Sequence, residues 1–322
     1  MEIRILHLIP NLAIGGAQRT VATLQKTQSL VPRVRMFSDL SRTDLDWSDV
    51  VVVHSWRSRK DSHELSVPEL CQNMHNRPLI IFNHDPEGTY TGHANLVLVC
   101  SQYAADRWYG NQPVAILPGG INLDRFQRVA SLRTWSKVSV VGRLSTMHAG
   151  KISSRVLDYW PQIHADSFLV GGAGSQLKGL LSSCTDQRFC FAGEILPQST
   201  HNFLRSIDIF LYDTETHIES FCYVAVEALA AGCVVVLANR GALGELVSNG
   251  KDGFLFSSPS EAVEMCNRLL KNPLVCRETA MKGIASSRRY PAELMQSTFL
   301  QYVTKVVMQS RGRCEHANDL LP

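Results

Sequence analysis

Residues 207–238, IDIFLYDTETHIESFCYVAVEALAAGCVVVLA, contain a complete strand–helix–strand pattern. An apolar run at 207–212 leads into a polar loop, an Ala-rich stretch then ends at Gly232, and a second apolar run follows at 233–238. Short, continuous runs of Val, Ile and Leu are typical of strands buried on both faces of a parallel sheet. This stretch therefore predicts a βαβ unit of an α/β protein.

The same alternation of apolar runs and helix-length stretches extends over most of the chain. The other predicted strands are residues 3–9, 50–54, 79–83, 96–101 and 114–117 in the first part and 138–141, 167–170, 188–192 and 253–256 in the second. They are too many for one compact open sheet. We therefore predict an α/β fold of two Rossmann-like, doubly wound domains that face each other across a cleft, with the ligand at the carboxyl ends of the strands.

The boundary between the domains is expected where the pattern weakens. A Pro-Gly-Gly turn at 118–120 opens a polar stretch without strong periodicity. We assign residues 1–130 to an N-terminal domain and 131–295 to a C-terminal domain. Residues 119–136 are the predicted hinge of a domain closure.

Composition describes a globular protein without a nucleic-acid footprint. The chain has 322 residues, of which 45% are hydrophobic and 19% charged, the balance of a soluble protein with apolar cores. Net charge is only +3, and the densest basic cluster, Arg57, Arg59 and Lys60, is followed at once by Asp61 and Glu64. A nucleic-acid surface needs a broader basic face, so nucleic acid is not expected as a partner.

Cysteine spacing and hydropathy predict a cytoplasmic location. The nine cysteines form no CxxC pair and no metal-ligand spacing, and Cys100, Cys190 and Cys233 lie inside apolar runs. Their odd number and spacing favour a reducing compartment over a disulfide framework. No stretch approaches the roughly 18 consecutive apolar residues of a membrane span. We expect no integral membrane segment, and peripheral membrane contact stays compatible with the sequence.

Two carboxylates in the opening segment predict a ligand site. Glu227 stands within a helix that is apolar almost all round, where a carboxylate is costly to bury without hydrogen-bond donors. The vicinal hydroxyls of a ribose would supply two donors. Glu219 precedes the helix, beside backbone N–H groups of residues 221–224 that suit a diphosphate. The alternative is an exposed Glu219 and a Glu227 that pairs with an internal arginine.

The segment ESFCYVAVE, from Glu219 to Glu227, resembles the Glu-seven-residue-Glu motif of retaining GT-B glycosyltransferases, a family that includes glycogen synthases and sucrose synthases. Residues 228–232 and 241–253 continue the same pattern, and the likeness is strongest over 138–256. The resemblance implies that Glu219 contacts hydroxyls of the transferred sugar and that Glu227 contacts the nucleotide ribose.

The resemblance also implies that residues 131–295 bind the nucleotide-sugar donor and that residues 1–130 form the acceptor-side domain. The donor diphosphate would lie against the loop and first helical turn formed by Ser220, Phe221, Cys222, Tyr223 and Val224. Cys222 stands where the family usually has Gly, so the shape of this loop is expected to differ. Glu194 and Ile195 fall in the segment whose backbone reads the base. Residues 296–322 would form a helix that returns to the first domain, followed by a frayed tail.

A second motif, VVGRL at 140–144, ends a predicted strand in Gly142-Arg143. The resemblance implies that Arg143 and a following lysine hold the diphosphate, and two fixed cations stabilise the charge that develops as it leaves. The usual lysine position falls on His148, and Lys151 lies three residues further on. We assign the role to Lys151 because it is charged at any working pH. A surface Lys151 is the alternative.

The first part of the chain offers weaker signals. Gly15 and Gly16 follow the first strand and open a helix, where glycines let the backbone approach a phosphate or sugar oxygen. His84 ends another predicted strand. The resemblance implies that Gly15 and Gly16 close over the donor and that His84 lies beside the donor sugar; a structural turn and a structural histidine are the alternatives. The tripeptide DLD at 44–46 matches a metal-binding DxD motif, but it precedes a strand, and we interpret it as a loop.

The resemblance implies a retaining glycosyltransferase that moves a hexosyl or other sugar from a UDP- or GDP-sugar to a hydroxyl of a carbohydrate or small-molecule acceptor. It implies metal-independent same-face substitution without an organic cofactor, in polysaccharide, glycolipid or natural-product biosynthesis. A double displacement would need a carboxylate nucleophile, for which the sequence offers no clear candidate. The alternatives are a GT-B nucleotide-sugar epimerase and a non-catalytic nucleotide-sugar-binding partner subunit.

Overall fold

The computed structural model describes residues 2–9, 16–54, 77–90, 92–148, 150–152, 155–214 and 216–312. The chain forms two compact units. The first unit is Met1–Gly120 together with Ala292–Pro322, and the second is Ile121–Pro291.

The divisions between the units lie earlier than residues 130 and 295, where the sequence analysis placed them. Helix Leu123–Ala130 accounts for the first difference, because it buries Phe126 and Val129 and packs on two helices of the second unit. The sequence pattern does not show on which unit such a short amphipathic helix packs.

The first unit is built on a parallel sheet of six strands in the order β2-β1-β3-β4-β5-β6. These strands are β1 Ile3–Ile9, β2 Leu30–Met36, β3 Val50–His54, β4 Leu79–Asn83, β5 Leu96–Val99 and β6 Val114–Ile116. Its helices are α1 Gly16–Leu24, α2 Arg42–Trp47, α3 Gln102–Ala105 and α12 Ala292–Ser310, with a 3-10 turn at Phe37–Asp39. The strand order is flavodoxin-like, and it reverses between β1 and β3.

Strand β2 was missing from the predicted strands. Pro32, Arg33 and Arg35 interrupt its apolar run, and an edge strand tolerates such residues because one side of it lacks a neighbour. The same arginines explain Asp44, which lies in helix α2 rather than in the predicted loop. Its carboxylate accepts from Arg33 Nη1 at 2.8 Å and from Arg35 Nε at 3.2 Å, so these two side chains occupy the first acid of the DLD tripeptide.

Helix α12 is 19 residues long and packs within the first unit, where it contacts α1. Phe299 and Val303 are fully buried, and the Phe299 ring stacks on His7 of β1 with 6.0 Å between centroids. The carboxyl-terminal helix is therefore part of the core of the first unit.

The second unit has its own parallel six-stranded sheet, in the order β12-β11-β10-β7-β8-β9. Its strands are β7 Val140–Leu144, β8 Ser167–Gly171, β9 Phe189–Gly193, β10 Ile209–Tyr212, β11 Val234–Ala238 and β12 Phe254–Phe256. Every one of them falls on a predicted apolar run. This is the Rossmann order 3-2-1-4-5-6, and the strand order reverses between β7 and β10.

Helices cover the second sheet and bring polar loops to its carboxyl edge. They are α4 Leu123–Ala130, α5 Val156–Tyr159, α6 Leu177–Ser183, α7 Thr200–Arg205, α8 Tyr223–Ala230, α9 Leu243–Leu246, α10 Pro259–Leu270 and α11 Pro273–Ser287, with 3-10 turns at Trp160–Gln162 and Pro197–Ser199. Helix α8 is buried almost throughout and ends at Ala230, shortly before Gly232, whose φ of 73° is readily adopted only by glycine. Among the helices of the described ranges, none is both long and apolar enough to cross a membrane.

We expect Phe299→Ala to destabilise the first unit by about 3–5 kcal/mol, because it opens a cavity in a packed core. Hydrogen exchange of strands β1, β3 and β4 in a urea series measures the change. Leu294→Ala on the same helix is the control: Leu294 is 51% exposed, and its loss should cost within about 0.5 kcal/mol. Equal effects of the two substitutions would contradict the packing role of α12.

Candidate functional site

The carboxylate of Glu219 is the centre of a polar cluster in the second unit, in the loop between β10 and α8. The residue is only 7% exposed. Its Oε1 accepts from Tyr212 OH at 2.9 Å and from Lys151 Nζ at 3.0 Å, and its Oε2 lies 3.5 Å from His217 Nε2. A buried carboxylate is stable only with such partners. We call these four side chains the Glu219 cluster.

The charge state of the cluster follows from these contacts. Burial acts to raise the pKa of Glu219, but the hydrogen bond from His217 and the charge of Lys151 outweigh it and bring the pKa to about 2. Burial and the neighbouring Glu219 raise the pKa of Tyr212 well above its usual value. At neutral pH the site therefore holds an ionised Glu219 and a protonated Tyr212 that donates to it.

The position of Lys151 depends on a backbone contact between two loops. Gly150 O accepts from the backbone N of Thr216 at 3.1 Å and of His217 at 3.0 Å. Gly150 has φ of 86°, and a Cβ there would lie 2.6 Å from Thr216 Oγ1, so the close approach requires glycine. His148, at the usual lysine position of the family, is exposed. Between His148 and Lys151, the structure brings Lys151 to Glu219.

Arg143 ends β7 beside this cluster and is 2% exposed. Its guanidinium donates to Asp213 O at 3.0 Å, to Lys151 O at 2.9 Å and to Ser145 Oγ at 3.0 Å. The planar fork thereby joins the loop after β7 to the loop after β10. In this arrangement Arg143 fixes the backbone of Lys151.

Gly142 has a packing reason to be glycine. A Cβ at this position would lie 2.7 Å from Leu169 O of β8 and 2.7 Å from Ile207 Cδ1. The residue is buried inside the sheet, and its small size lets β7 lie between β8 and β10.

The beginning of α8 contains the residues that the sequence analysis predicts to bind the donor diphosphate. Ser220 and Phe221 lead into the helix, Cys222 is its N-cap, and Tyr223 and Val224 open its first turn. Burial raises the pKa of the Cys222 thiol to about 12, so it stays protonated. The N-cap Cys222 comes three residues after Glu219, so Glu219 lies in the loop before the helix.

Glu227 and the segment predicted to contact the base, Glu194 and Ile195, lie further from Glu219 along the chain. Glu227 is in the middle of α8 and 3% exposed. Glu194 is exposed and Ile195 half-buried, just after β9. All three belong to the second unit.

In the first unit, Gly16 is the exposed first residue of α1, whereas Gly15 lies outside the described residues. His84 follows β4 and belongs to a row of three histidines on adjacent strands. His7 Nδ1 lies 2.9 Å from His54 Nε2, and His54 Nδ1 lies 3.0 Å from His84 Nε2.

Both ring nitrogens of His84 have neighbours, since Nδ1 lies 3.8 Å from Cys100 Sγ. The protonation state of the row follows from burial, which lowers the pKa of His7 to about 4 and that of His84 to about 3, and lowers the pKa of His54 well below its usual value. The three rings are therefore neutral imidazoles at pH 7. A neutral imidazole carries its proton on one nitrogen only, so the tautomer of His84 depends on that of His54.

Tyr212, His217 and His54 were not identified from the sequence. His217 and Glu219 are two residues apart in the loop after β10, a spacing that puts side chains on the same side wherever the backbone is extended. That alternation was a usable signal for His217. Tyr212 is the last residue of an apolar strand, and nothing in such a run distinguishes a tyrosine that donates to a carboxylate from one that only packs. In the part of the chain that the structure describes, no group of three or more His, Cys, Asp or Glu side chains is arranged to hold a metal ion.

Known proteins resemble this chain in sequence and in fold. Residues 136–272, which carry the Glu219 cluster, match the family model of the glycosyl transferases group 1. The chain is 27% identical over 148 residues to the lipopolysaccharide 1,2-N-acetylglucosaminetransferase of Salmonella typhimurium, covering 45% of this chain and 33% of that enzyme. It is 25% identical over 291 residues to the D-inositol 3-phosphate glycosyltransferase of Acidothermus cellulolyticus, covering 76% and 64%.

A solved structure covers nearly the whole chain. The crystal structure of the HepE protein of Anabaena, in complex with UDP and glucose, superposes with a TM-score of 0.77 at 17% identity and covers 94% of this chain and 100% of that one. The family model thus matches part of the second unit, and the chain has the two-domain α/β fold of the GT-B glycosyltransferase structures. The chain spans only 33% and 64% of the two relatives, so it matches part of their length.

We expect the first unit to lose stability as pH falls below the unfolded histidine pKa of about 6.5. The unfolded chain then binds protons that the buried row does not bind until the pH reaches about 4 for His7. The contribution of His7 alone reaches about 2 kcal/mol at pH 5.

Urea unfolding monitored by hydrogen exchange of β1 and β3 at pH 7 and pH 5 measures this loss. His7→Gln keeps an amide that can pair with His54 and should flatten the pH dependence. His93→Gln replaces an exposed histidine of the same unit and should leave it unchanged. An unaltered slope in His7→Gln would contradict a neutral, buried row.

Proposed function

We propose that the chain is a nucleotide-sugar-dependent, retaining glycosyltransferase. The observation that carries this proposal is the ionised Glu219 held by Lys151 and Tyr212 at the reversal point of the second sheet, inside the segment that matches the family model. In doubly wound sheets this point is the place where ligands bind. The Salmonella and Acidothermus relatives are named as glycosyltransferases, and the Anabaena structure holds UDP and glucose, which supports a UDP-sugar as donor.

The proposed donor position follows the chain from strand to helix. Glu219 would accept hydrogen bonds from hydroxyls of the sugar, and Glu227, buried in α8, would accept from the ribose. Between them the first turn of α8 offers backbone N–H groups and a positive dipole end to the diphosphate. The single helix would in this way orient the sugar, phosphate and ribose parts of one ligand.

The proposed reaction uses charge rather than a covalent intermediate. The bond between the anomeric carbon and the β-phosphate oxygen breaks, the acceptor oxygen bonds to the same face of that carbon, and the acceptor proton passes to the leaving phosphate. Lys151 Nζ contacts the carboxylate of Glu219. Its positive charge would stabilise the leaving diphosphate as the bond breaks. Arg143 would hold the Lys151 loop in place.

Glu219 suits a binding role better than a role as base. A carboxylate whose pKa is about 2 is a weak base at neutral pH, since catalytic bases work best with a pKa near the operating pH. The leaving phosphate is the stronger proton acceptor in this scheme. The proposal therefore needs neither an organic cofactor nor a metal ion.

The names of the two relatives point to a lipopolysaccharide and to an inositol phosphate as their acceptors. We infer a carbohydrate or small polar acceptor, in polysaccharide, glycolipid or natural-product glycosylation. The described cysteines are all free thiols, which supports a reducing, cytoplasmic setting.

A donor screen tests the proposal directly. Purified full-length protein should gain thermal stability with one of UDP, GDP, ADP and dTDP, because ligands that bind the native state raise its apparent stability. The matching nucleotide sugar should be hydrolysed slowly without acceptor, and EDTA should not abolish this. Binding without any hydrolysis or transfer would favour a non-catalytic partner subunit, and no response to any nucleotide would overturn the proposal.

Substitutions of the two glutamates should separate turnover from binding. Glu219→Gln should lower kcat about 100-fold with the Kd for the nucleotide within about threefold. Glu227→Gln should raise that Kd about tenfold and change kcat little, because a hydrogen bond to a charged group is lost. Glu264→Gln on exposed α10 is the matched control. Equal loss of folding in both variants would show a structural role instead.

A further inference from the structure

Helix α11, Pro273–Ser287, buries small side chains and exposes large apolar ones. Its buried positions are Cys276, Thr279, Ala280, Gly283 and Ser287. A Cβ at Gly283 would lie 2.9 Å from Leu229 Cδ2 of α8, so the inward face of the helix packs closely on its neighbour. A surface helix usually has the opposite arrangement, with its large apolar residues toward the core. The large residues of α11 therefore contribute little to the packing of the second unit.

The outward face of α11 is unusually apolar. Eight large apolar side chains are exposed in the described ranges, and three of them lie on this helix. Leu274 is 74% exposed, Met281 is 60% exposed, and Val275 is exposed beside them. Leu274 and Met281 are seven positions apart, which places them on the same face two turns from each other. Single exposed apolar residues are ordinary, whereas a group of them on one face indicates an interaction surface.

Basic side chains accompany these apolar residues. Arg277 and Lys282 are exposed on the same helix, and Arg288 is its exposed C-cap. Glu278 is the single acidic residue of the helix, so the helix and its C-cap carry a net charge of +2. We define the α11 surface as Leu274, Val275, Arg277, Met281, Lys282 and Arg288. This surface combines apolar contact area with positive charge.

The charge of the α11 surface disfavours a second copy of the chain as its partner. Two copies joined through α11 would bring the same cations face to face, and like charges across an interface oppose association. The exposed charges of neighbouring α10 and its C-cap leave this balance unchanged, since Glu261 and Glu264 are offset by Arg268 and Lys271. Helix α11 also has no aromatic residue, and aromatic anchors are typical of protein interfaces. The surface therefore suits an anionic partner with a broad apolar phase.

We propose that the α11 surface binds the face of an anionic lipid bilayer. Leu274, Val275 and Met281 would enter the boundary between headgroups and acyl chains, where interfacial helices bury their apolar residues. The flanking cations have long stems, which let their charged ends reach lipid phosphates while the apolar residues lie deeper. Binding is expected to be weak and reversible, because stable anchoring needs more apolar area than three side chains supply. It does not depend on glycosyl transfer.

Sedimentation of the full-length protein with lipid vesicles tests the α11 surface. Vesicles of equal parts phosphatidylcholine and phosphatidylglycerol should bind the protein about tenfold more tightly than phosphatidylcholine alone, and high salt should release it. Leu274→Ser with Met281→Ser should weaken this binding about tenfold, because less apolar area leaves water. Arg277→Gln with Lys282→Gln should weaken it about tenfold or more through the lost charge.

Leu181→Ser with Lys178→Gln is the matched control. Both residues are exposed on α6 of the same unit, and Leu181 is 52% exposed. The control should bind mixed vesicles as the unaltered protein does. All these side chains are exposed, so thermal unfolding should be little changed in every variant. No binding to mixed vesicles, or equal binding by the α6 and α11 variants, overturns the proposal.

Two further measurements distinguish a bilayer from other partners. Sedimentation velocity without lipid should show no dimer that depends on α11. A dimer that Leu274→Ser with Met281→Ser dissociates would identify a second copy as the partner and overturn the proposal. Polyglutamate, an acidic polypeptide, should bind more weakly than mixed vesicles. Equally tight binding of polyglutamate would show that charge alone accounts for the interaction, and it would also overturn the proposal.

Leu274→Trp reports the contact with lipid directly. Mixed vesicles that contain brominated phosphatidylcholine should quench the added fluorescence, and they should leave that of Leu181→Trp on α6 unquenched. Equal quenching of the two, or quenching of neither, contradicts insertion at α11. Vesicle binding by a protein that binds no nucleotide would support the α11 surface while contradicting the proposed function. Nucleotide binding without vesicle binding would contradict the α11 surface alone.

Discussion

The contact between Lys151 and Glu219 is the interaction on which the candidate site depends. A carboxylate that is 7% exposed would be strongly destabilising alone, since removal of one partner of a buried pair costs about 3–5 kcal/mol. Tyr212 and His217 share the charge, so neither the ammonium nor the hydroxyl acts by itself. The result is a charged group with fixed orientation, in which the oxygen that faces Lys151 and Tyr212 differs from the oxygen near His217.

This contact is possible because of the order of the strands. Chain connections leave β7 and β10 in opposite directions at the reversal of the second sheet, which opens space between the loops that follow them. Hydrogen bonds connect these two loops across that space. The Arg143 side chain makes some of them, and the backbone oxygen of Gly150 accepts the others. The first unit reverses between β1 and β3 instead, and there neutral histidines rather than charges line adjacent strands.

Most of the fold was accessible from the sequence because buried parallel strands leave continuous apolar runs. Strand β2 was not, since an edge strand carries Pro32 and two arginines without penalty. In the site, the motif spacing predicted Glu219 and its helix. The sequence does not predict Tyr212 or His54, because their contacts join strands and loops that are distant along the chain.

Arg143 and Lys151 differ in a way that their shared positive charge conceals. Arg143 is a planar fork whose hydrogen bonds to two carbonyl groups and a hydroxyl fix it in place. Lys151 is 27% exposed and carries a compact charge on a flexible stem, so its ammonium group can contact an incoming anion while it stays beside Glu219. The arginine therefore suits a framework and the lysine a ligand contact. The family resemblance implies that both residues hold the same diphosphate. In the structure, Arg143 holds the backbone of Lys151, and Lys151 contacts Glu219.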